Sequence, residues 1–175
     1  MTNPERFFPL LGLAVDIVSD LREAYEVIEP PTFERLPGSR SPFEYARPPI
    51  ILTPVSPKEA PISVAFTAFP GLFVCLGKFI EESFPSCGCD ACAPTFEREA
   101  ERLQATVRSV VAGHFQEEIE IPLVGSAYLS WTFTASASGD PSTSGRMMLS
   151  REEARRISAV SERIEWQPWT KRTRD

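Results

Sequence analysis

Two apolar runs that meet at a turn pair lie near the middle of the chain. Residues 62–69 and 71–79 are rich in Val, Phe, Ile and Leu, and Pro70 and Gly71 stand where the runs meet. β-Branched and aromatic residues favour strands, whereas a Pro-Gly pair favours a turn. The pattern therefore predicts a β-hairpin over about 62–79, at the centre of an antiparallel sheet.

Another strand-like segment follows later in the chain. Between about 127 and 135, Leu129, Trp131 and Phe133 alternate with residues that carry hydroxyl groups, which are Tyr128, Ser130, Thr132 and Thr134. Alternation with a period of two is typical of a strand that buries one face. We expect this strand to pair with the hairpin and to bury Trp131 and Phe133.

Three segments have features of helices, at about 9–28, 94–112 and 150–164. In the first two, apolar residues recur every three or four positions, which is the spacing of one helix face. With the predicted strands, these segments indicate an α+β fold in which helices flank a central antiparallel sheet.

The predicted helix ends carry recognisable capping residues. Ser150 and Glu153 have the spacing of a capping box, and Pro94 stands where a first helical residue often does. Gly113 is placed to end the second helix in the left-handed conformation.

The chain of 175 residues has the length of one domain, and we expect a single domain over 1–175. Nine of its 17 prolines lie between positions 30 and 61, where no periodicity is sustained. This composition predicts a long surface loop at about 30–61 with at most a short strand at 50–52. A flexible tail is expected from about 170.

The charge balance limits the classes of partner. Lys and Arg total 18 against 24 for Asp and Glu, which gives a net charge of -6. An acidic surface repels polyanions, so nucleic acid is not expected to bind, whereas a protein partner is compatible with this charge. No apolar run approaches the roughly 20 residues that cross a bilayer, so no membrane association is expected.

Three of the four cysteines fall within six residues, at Cys87, Cys89 and Cys92. Disulfides between such close neighbours would close almost no loop and would add little stability. The spacing therefore favours reduced thiols and a cytoplasmic protein.

These cysteines belong to the sequence Phe-Pro-Ser-Cys-Gly-Cys-Asp-Ala-Cys at 84–92. The signature resembles that of an actinobacterial family of unknown function, whose members share Phe-Pro-x-Cys-Gly-Cys-Asp-Ala-Cys after an apolar hairpin. The resemblance extends over about 65–113 and recurs at the Trp-x-Pro-Trp of 166–169. Members continue with acidic residues where this chain has Ala93 and Pro94, so the resemblance implies no carboxylate ligand there.

The spacing of the three thiols is typical of a metal site. Cys89 and Cys92 are separated by two residues, as in zinc knuckles, where a turn directs both sulfurs at one ion about 2.3 Å away. Gly88 would allow the backbone to bend so that Cys87 also becomes a ligand. The sequence therefore predicts a zinc site at these three cysteines.

A fourth ligand is less obvious from the sequence. Cys75 on the preceding strand could reach the turn if the chain folds back, while Asp90 or water would suit a more open site. His114 follows the predicted helix and would lie roughly 28 Å from Cys92, so it is excluded. We take Cys75 as the fourth candidate.

Two other interpretations of the thiols remain open. Cys89 and Cys92 precede a helix whose dipole would lower a thiol pKa, so the pair could act in thiol-disulfide exchange. Reduced thiols could also simply pack a tight turn. As a whole, the sequence favours a non-enzymatic binding protein with a structural zinc ion; the alternatives are a thiol oxidoreductase and an acidic protein that masks a basic partner.

The other candidate residues have simpler explanations. Glu117, Glu118 and Glu120 are expected on a solvated strand edge or loop, because exposed acids are the rule. Trp166 and Trp169 around Pro168 are expected in the core rather than on a partner-binding surface.

Overall fold

The computed structural model describes residues 3–30, 44–87, 89, 92–134 and 142–173. A short 3-10 turn at Pro4–Phe7 precedes the first helix. The helices are α1 (Phe8–Ala24), α2 (Phe96–Val111) and α3 (Arg151–Ile157). The strands are β1 (Val27–Ile28), β2 (Tyr45–Pro54), β3 (Ile62–Thr67), β4 (Leu72–Leu76), β5 (Ile80–Phe84), β6 (Phe115–Glu120), β7 (Ala127–Phe133), β8 (Thr143–Leu149) and β9 (Glu162–Glu165).

The strands form two antiparallel sheets, which confirms the α+β class. One sheet has the order β1-β2-β3-β4-β5, and the other has the order β8-β7-β6-β9. The predicted hairpin is β3 and β4, paired from Ile62 with Leu76 to Phe66 with Leu72. The expectation that 127–135 pairs with this hairpin is wrong, because β7 pairs with β6 and β8 instead.

A ten-residue strand occupies part of the predicted surface loop at 30–61. Strand β2 pairs with β3 and extends well beyond the short strand expected at 50–52. Its register shifts between Arg47 and Ile50, where Pro48 and Pro49 stand. Proline has no N–H to donate to a ladder, so the strand accommodates the pair in an irregularity.

The last helix is shorter than predicted. The helix expected at 150–164 ends at Ile157, and Glu162–Glu165 pairs with β6 as an edge strand. The capping box is confirmed, because the Ser150 hydroxyl accepts from the Glu153 N–H while the Glu153 carboxylate accepts from the Ser150 N–H. The sequence predicted where the helix starts. It did not predict that residues 162–165 pair with the edge of β6.

Helix α2 begins at Phe96, two residues after Pro94, which was expected to be its first residue. Thr95 caps the helix by accepting a hydrogen bond from the Arg98 N–H at 3.3 Å, and Pro94 precedes the cap. Gly113 has φ of 73°, which confirms its left-handed conformation after the helix. No helix in the described parts of the chain combines the length and apolarity required to span a membrane.

Buried side chains from both sheets and all three helices form the main apolar cluster. Helix α1 contributes Leu10, Ala14, Val18 and Leu21. Phe133 is buried as predicted, whereas Trp131 is only half-buried. Trp131 lies against Gly145 of β8, where a Cβ atom would overlap the indole ring.

The C-terminal segment is fixed to the sheets by its aromatic and polar side chains. Trp169 is buried, as expected, and its indole Nε1 donates to the Ala60 carbonyl at 2.9 Å. Thr170 donates through its N–H and hydroxyl to the Glu59 carboxylate, at 3.1 and 2.7 Å. The chain is therefore held at Thr170, where the sequence predicted that a flexible tail begins.

Glu117 connects the two sheets. Its Oε1 accepts from the Lys78 N–H at 2.7 Å, and its Oε2 accepts from the Phe79 N–H at 2.8 Å. The Trp166 indole donates to Oε1 at 3.0 Å. Glu117 is only 1% exposed, so its expected place on a solvated edge is wrong.

The turn that supplies these donors has room only for glycine at its first position. Gly77 has φ of 60°, and a Cβ atom there would overlap Glu117 Oε1 and lie 2.8 Å from Trp166 Nε1. Burial raises the pKa of Glu117 from an ordinary value of 4.5 to about 7, although the three donors oppose this shift.

The raised pKa predicts a pH dependence of stability. Because the native state holds the Glu117 proton more tightly than the unfolded chain does, this contribution is present below about pH 4.5 and is lost as pH rises through 7. Relative to Glu117→Gln, the free energy of unfolding of the native protein should fall by on the order of 3 kcal/mol across that range.

Urea unfolding at a series of pH values measures this difference. Glu118→Gln, on the opposite face of β6, is the matched control and should retain the native pH dependence. Parallel pH profiles for the native protein and Glu117→Gln would contradict the prediction.

Candidate metal centre

The three clustered cysteines lie in the connection between β5 and α2, which we name the cysteine turn (residues 85–95). The peptide bond Phe84–Pro85 at its start is cis. Cys87 is half-buried, whereas Cys89 and Cys92 are exposed. Gly88 and Asp90, for which the sequence suggested a bend and an alternative ligand, lie outside the described residues.

The sulfurs of Cys87, Cys89 and Cys92 converge and are named the thiol cluster. All three Sγ atoms lie within 4.8 Å of one another, and those of Cys87 and Cys89 are 3.1 Å apart. In a tetrahedral zinc site with Zn–S distances of about 2.3 Å, neighbouring sulfurs are about 3.8 Å apart. The cluster therefore has the dimensions of a site for a single ion.

The electrostatics of the thiol cluster disfavour a free thiolate at Cys92. Hydrogen bonds with Cys89 and then Cys87, together with their charges, raise the pKa of Cys92 from 9.0 to about 11. A bound cation reverses such crowding, because it stabilises coordinated thiolates directly.

A backbone group also points into the thiol cluster. The Cys89 N–H donates to Cys87 Sγ at 3.3 Å. Donors of this kind support negative charge on a ligating sulfur and help to orient it. The local backbone is thus arranged to support a charged Cys87 sulfur.

Glu99 of α2 anchors the start of the cysteine turn. This residue is 3% exposed, and its carboxylate accepts from the Ser86 N–H and hydroxyl, both at 3.2 Å. Arg102 donates to the same carboxylate at 2.9 Å and to Glu82 of β5 at 2.8 Å. Its guanidinium also bonds the Ser83 carbonyl, so strand, turn and helix share one polar network.

The end of the cysteine turn changes direction sharply before the helix. Ala93 has φ of 40°, a left-handed conformation that an alanine adopts at a cost of about 1 kcal/mol. Buried Pro94 and the capping residue Thr95 follow. The turn is thus held at Ser86 on one side and at the capped helix on the other.

Cys75 lies away from the thiol cluster. Strands β4 and β5 pair Leu72 with Phe84, so the cysteine turn leaves the sheet beside Leu72. Cys75 is three residues further along β4, a distance of roughly 10 Å, and it packs beside Phe73 in a small apolar cluster. The structure does not bring Cys75 to the other sulfurs, which corrects the expectation that it supplies the fourth ligand.

A groove of about 470 Å³ lies between α2 and the β7–β8 pair. Trp131 and Phe133 line it together with charged residues of α2, among them Arg98, Glu101 and Arg102. Arg102 already forms ion pairs with Glu82 and Glu99, so its charge helps to hold the start of the cysteine turn. His114 lies beyond the far end of α2 and is not part of the thiol cluster.

Sequence reasoning missed the groups that position the site. Glu99 and Arg102 lie on a strongly charged helix, and their spacing of three residues is common on solvated helix surfaces. Glu99 is buried against Ser86 because the segment that follows β5 packs on α2. The sequence pattern of α2 alone therefore could not predict this contact.

The fold and the convergent sulfurs define an α+β protein with an exposed three-cysteine cluster of metal-ligand geometry. Over residues 1–173 the chain matches the model of a family of unknown function (DUF6226), and it belongs to that family. No curated protein and no solved structure matches it.

The anchor predicts unequal effects for two glutamates in the first turn of α2. Glu99→Gln removes a charged acceptor from Ser86 and Arg102, and the free energy of unfolding should fall by about 1–3 kcal/mol. Glu97 is exposed in the same turn, so Glu97→Gln shares any effect of the helix dipole and should change stability by less than about 1 kcal/mol. Urea unfolding measures both, and equal losses would contradict the anchoring role.

Proposed function

We propose that this chain is a metal-binding protein in which Cys87, Cys89 and Cys92 coordinate one zinc ion. The observation that carries the proposal is the convergence of three sulfurs within 4.8 Å of one another on a turn with fixed ends. Thiolates favour soft and borderline ions such as zinc and copper(I). The sulfur spacing suits the tetrahedral coordination of zinc, and zinc has no redox chemistry of its own.

The proposed ion has a structural role at the junction of β5 and α2. Coordination replaces the hydrogen bonds and the charge repulsion among the thiols, which raise the pKa of Cys92, with attraction to a shared cation. The Glu99 network holds the neighbouring Ser86 independently of an ion. Removal of the ion should therefore loosen the cysteine turn while the two sheets stay folded.

We assign the protein a binding role rather than an enzymatic one. The convergence of three sulfurs at the spacing of ion ligands, rather than of two sulfurs as in a redox pair, supports this choice. The exposed position of the thiol cluster and the net charge of -6 are compatible with a partner protein that has a basic surface. A reducing cytoplasm suits the proposal, because no disulfide joins the four cysteines, all of which lie in the described part of the chain.

Metal analysis tests the proposal directly. Protein purified without chelator should contain about one zinc per chain, and Cys89→Ser should lower this to below about 0.2. Cys75→Ser is the matched control, since it removes a thiol outside the thiol cluster and should leave the zinc content unchanged. Native protein without metal, which also fails to bind added zinc, would overturn the proposal.

Thiol reactivity separates zinc binding from the oxidoreductase alternative. A zinc site should protect the cysteines of the thiol cluster from alkylation until a chelator is added. A redox pair at Cys89 and Cys92 would instead leave a rapidly alkylated sulfur in the native protein and give a measurable dithiol potential. Rapid alkylation without chelator would favour that alternative.

A further inference from the structure

A cavity of about 350 Å³ adjoins the thiol cluster. It lies where the β3–β4 turn meets the cysteine turn, since Leu72 pairs with Phe84 at this end of the sheet. Phe69, Phe73 and Phe84 are among its lining residues. The volume falls within the range of about 300–1,000 Å³ that is common for small-molecule sites.

The lining favours an apolar occupant. The Thr67 hydroxyl donates to the Phe69 carbonyl at 2.5 Å, and the Ser86 hydroxyl donates to Glu99 at 3.2 Å. These two lining hydroxyls are therefore engaged within the protein, and most of the cavity wall is apolar. An aromatic or branched aliphatic group gains most from such a site, because its apolar area leaves water.

Cys87 belongs both to the cavity wall and to the thiol cluster. An ion held by its Sγ lies about 2.3 Å from the side chain of a residue that lines the cavity. Three cysteines also fill only three of the four positions of a tetrahedral ion. A fourth donor is therefore required within about 3.8 Å of a sulfur at the cavity edge.

We propose that the fourth position accepts the sulfur of a small external thiol whose apolar body occupies this cavity. The inference rests on the proposed metal site and names its ligand class. A thiolate matches the softness of the three cysteine sulfurs and completes a four-sulfur zinc shell. In the exchange, bound water leaves the ion, the thiol sulfur bonds to it and the thiol proton passes to solvent, with no change of oxidation state.

Cobalt(II) in place of zinc provides an optical probe of the donor set. Benzyl mercaptan and 2-mercaptoethanol are titrated separately into the cobalt-loaded protein, and the sulfur-to-cobalt charge-transfer absorption is followed. Benzyl mercaptan should bind at least about tenfold more tightly, because only its ring can fill the cavity. Benzyl alcohol, which has the same ring but no thiol, should leave the spectrum unchanged.

Two matched substitutions test whether the cavity causes this preference. Ser83 lines the cavity, so Ser83→Leu should fill part of it and reduce the preference for benzyl mercaptan to within about twofold. Ser63 is paired with Cys75, outside the cavity lining, and Ser63→Leu should keep the native preference. Circular dichroism and cooperative urea unfolding verify that each variant is folded, and Ser83→Val replaces Ser83→Leu if the larger side chain prevents folding.

The outcomes separate this inference from the proposed function. A protein that binds cobalt but gives equal affinities for the two thiols, or a preference unaffected by Ser83→Leu, overturns the ligand class and leaves the metal site standing. Competition by benzyl alcohol equal to that of benzyl mercaptan also overturns it, because the sulfur would then be irrelevant. Failure to bind cobalt or zinc overturns both.

Discussion

The carboxyl group of Glu117 accepts hydrogen bonds from two separate parts of the chain that must meet for the sheets to pack. One part is the β4–β5 turn at Lys78 and Phe79, and the other is Trp166 next to β9. Because the group is buried, loss of the Phe79 donor would leave Oε2 unsatisfied away from water, and Oε1 would lose one or both of its donors if either part moved. This requirement fixes the β4–β5 turn against β6 and accounts for glycine at position 77.

Buried glutamates recur at the other junctions of the fold. Glu59 holds the C-terminal segment through Thr170, and Glu99 holds the cysteine turn through Ser86. Each of these carboxylates accepts a backbone N–H from a segment distant along the chain or in another element. A buried carboxylate fixes the position of the segment that it binds more specifically than apolar packing does, because its oxygens need N–H or O–H donors at defined places. The sheets and helices supply the core, and these glutamates determine how the connections lie on it.

Patterns confined to one element were predictable from the sequence, and features that depend on contacts between elements were not. The β3–β4 hairpin, α1 and α2 follow from local periodicity, and the convergence of three sulfurs follows from their spacing. Glu117 shares the buried face of β6 with Phe115 and Ile119, but its charge suggested exposure, and its donors Lys78 and Phe79 are 39 and 38 residues away. Strand β2 was obscured by its prolines, and β9 exists because β6 offers it an edge.

The difference between local features and contacts between elements also explains what kind of metal site this chain can provide. The thiol cluster lies on an exposed turn, whereas the groups that fix both ends of that turn, Glu99 and the cap of α2, are independent of the sulfurs. An ion that binds there meets three sulfurs that already lie within 4.8 Å of one another, so part of the entropic cost of gathering its ligands is met during folding. Because few buried contacts depend on the ion, its release does not require unfolding of the core. A proposed site of this kind combines preorganised affinity with access from solvent, which suits ligand exchange at the ion better than a fully enclosed structural site does.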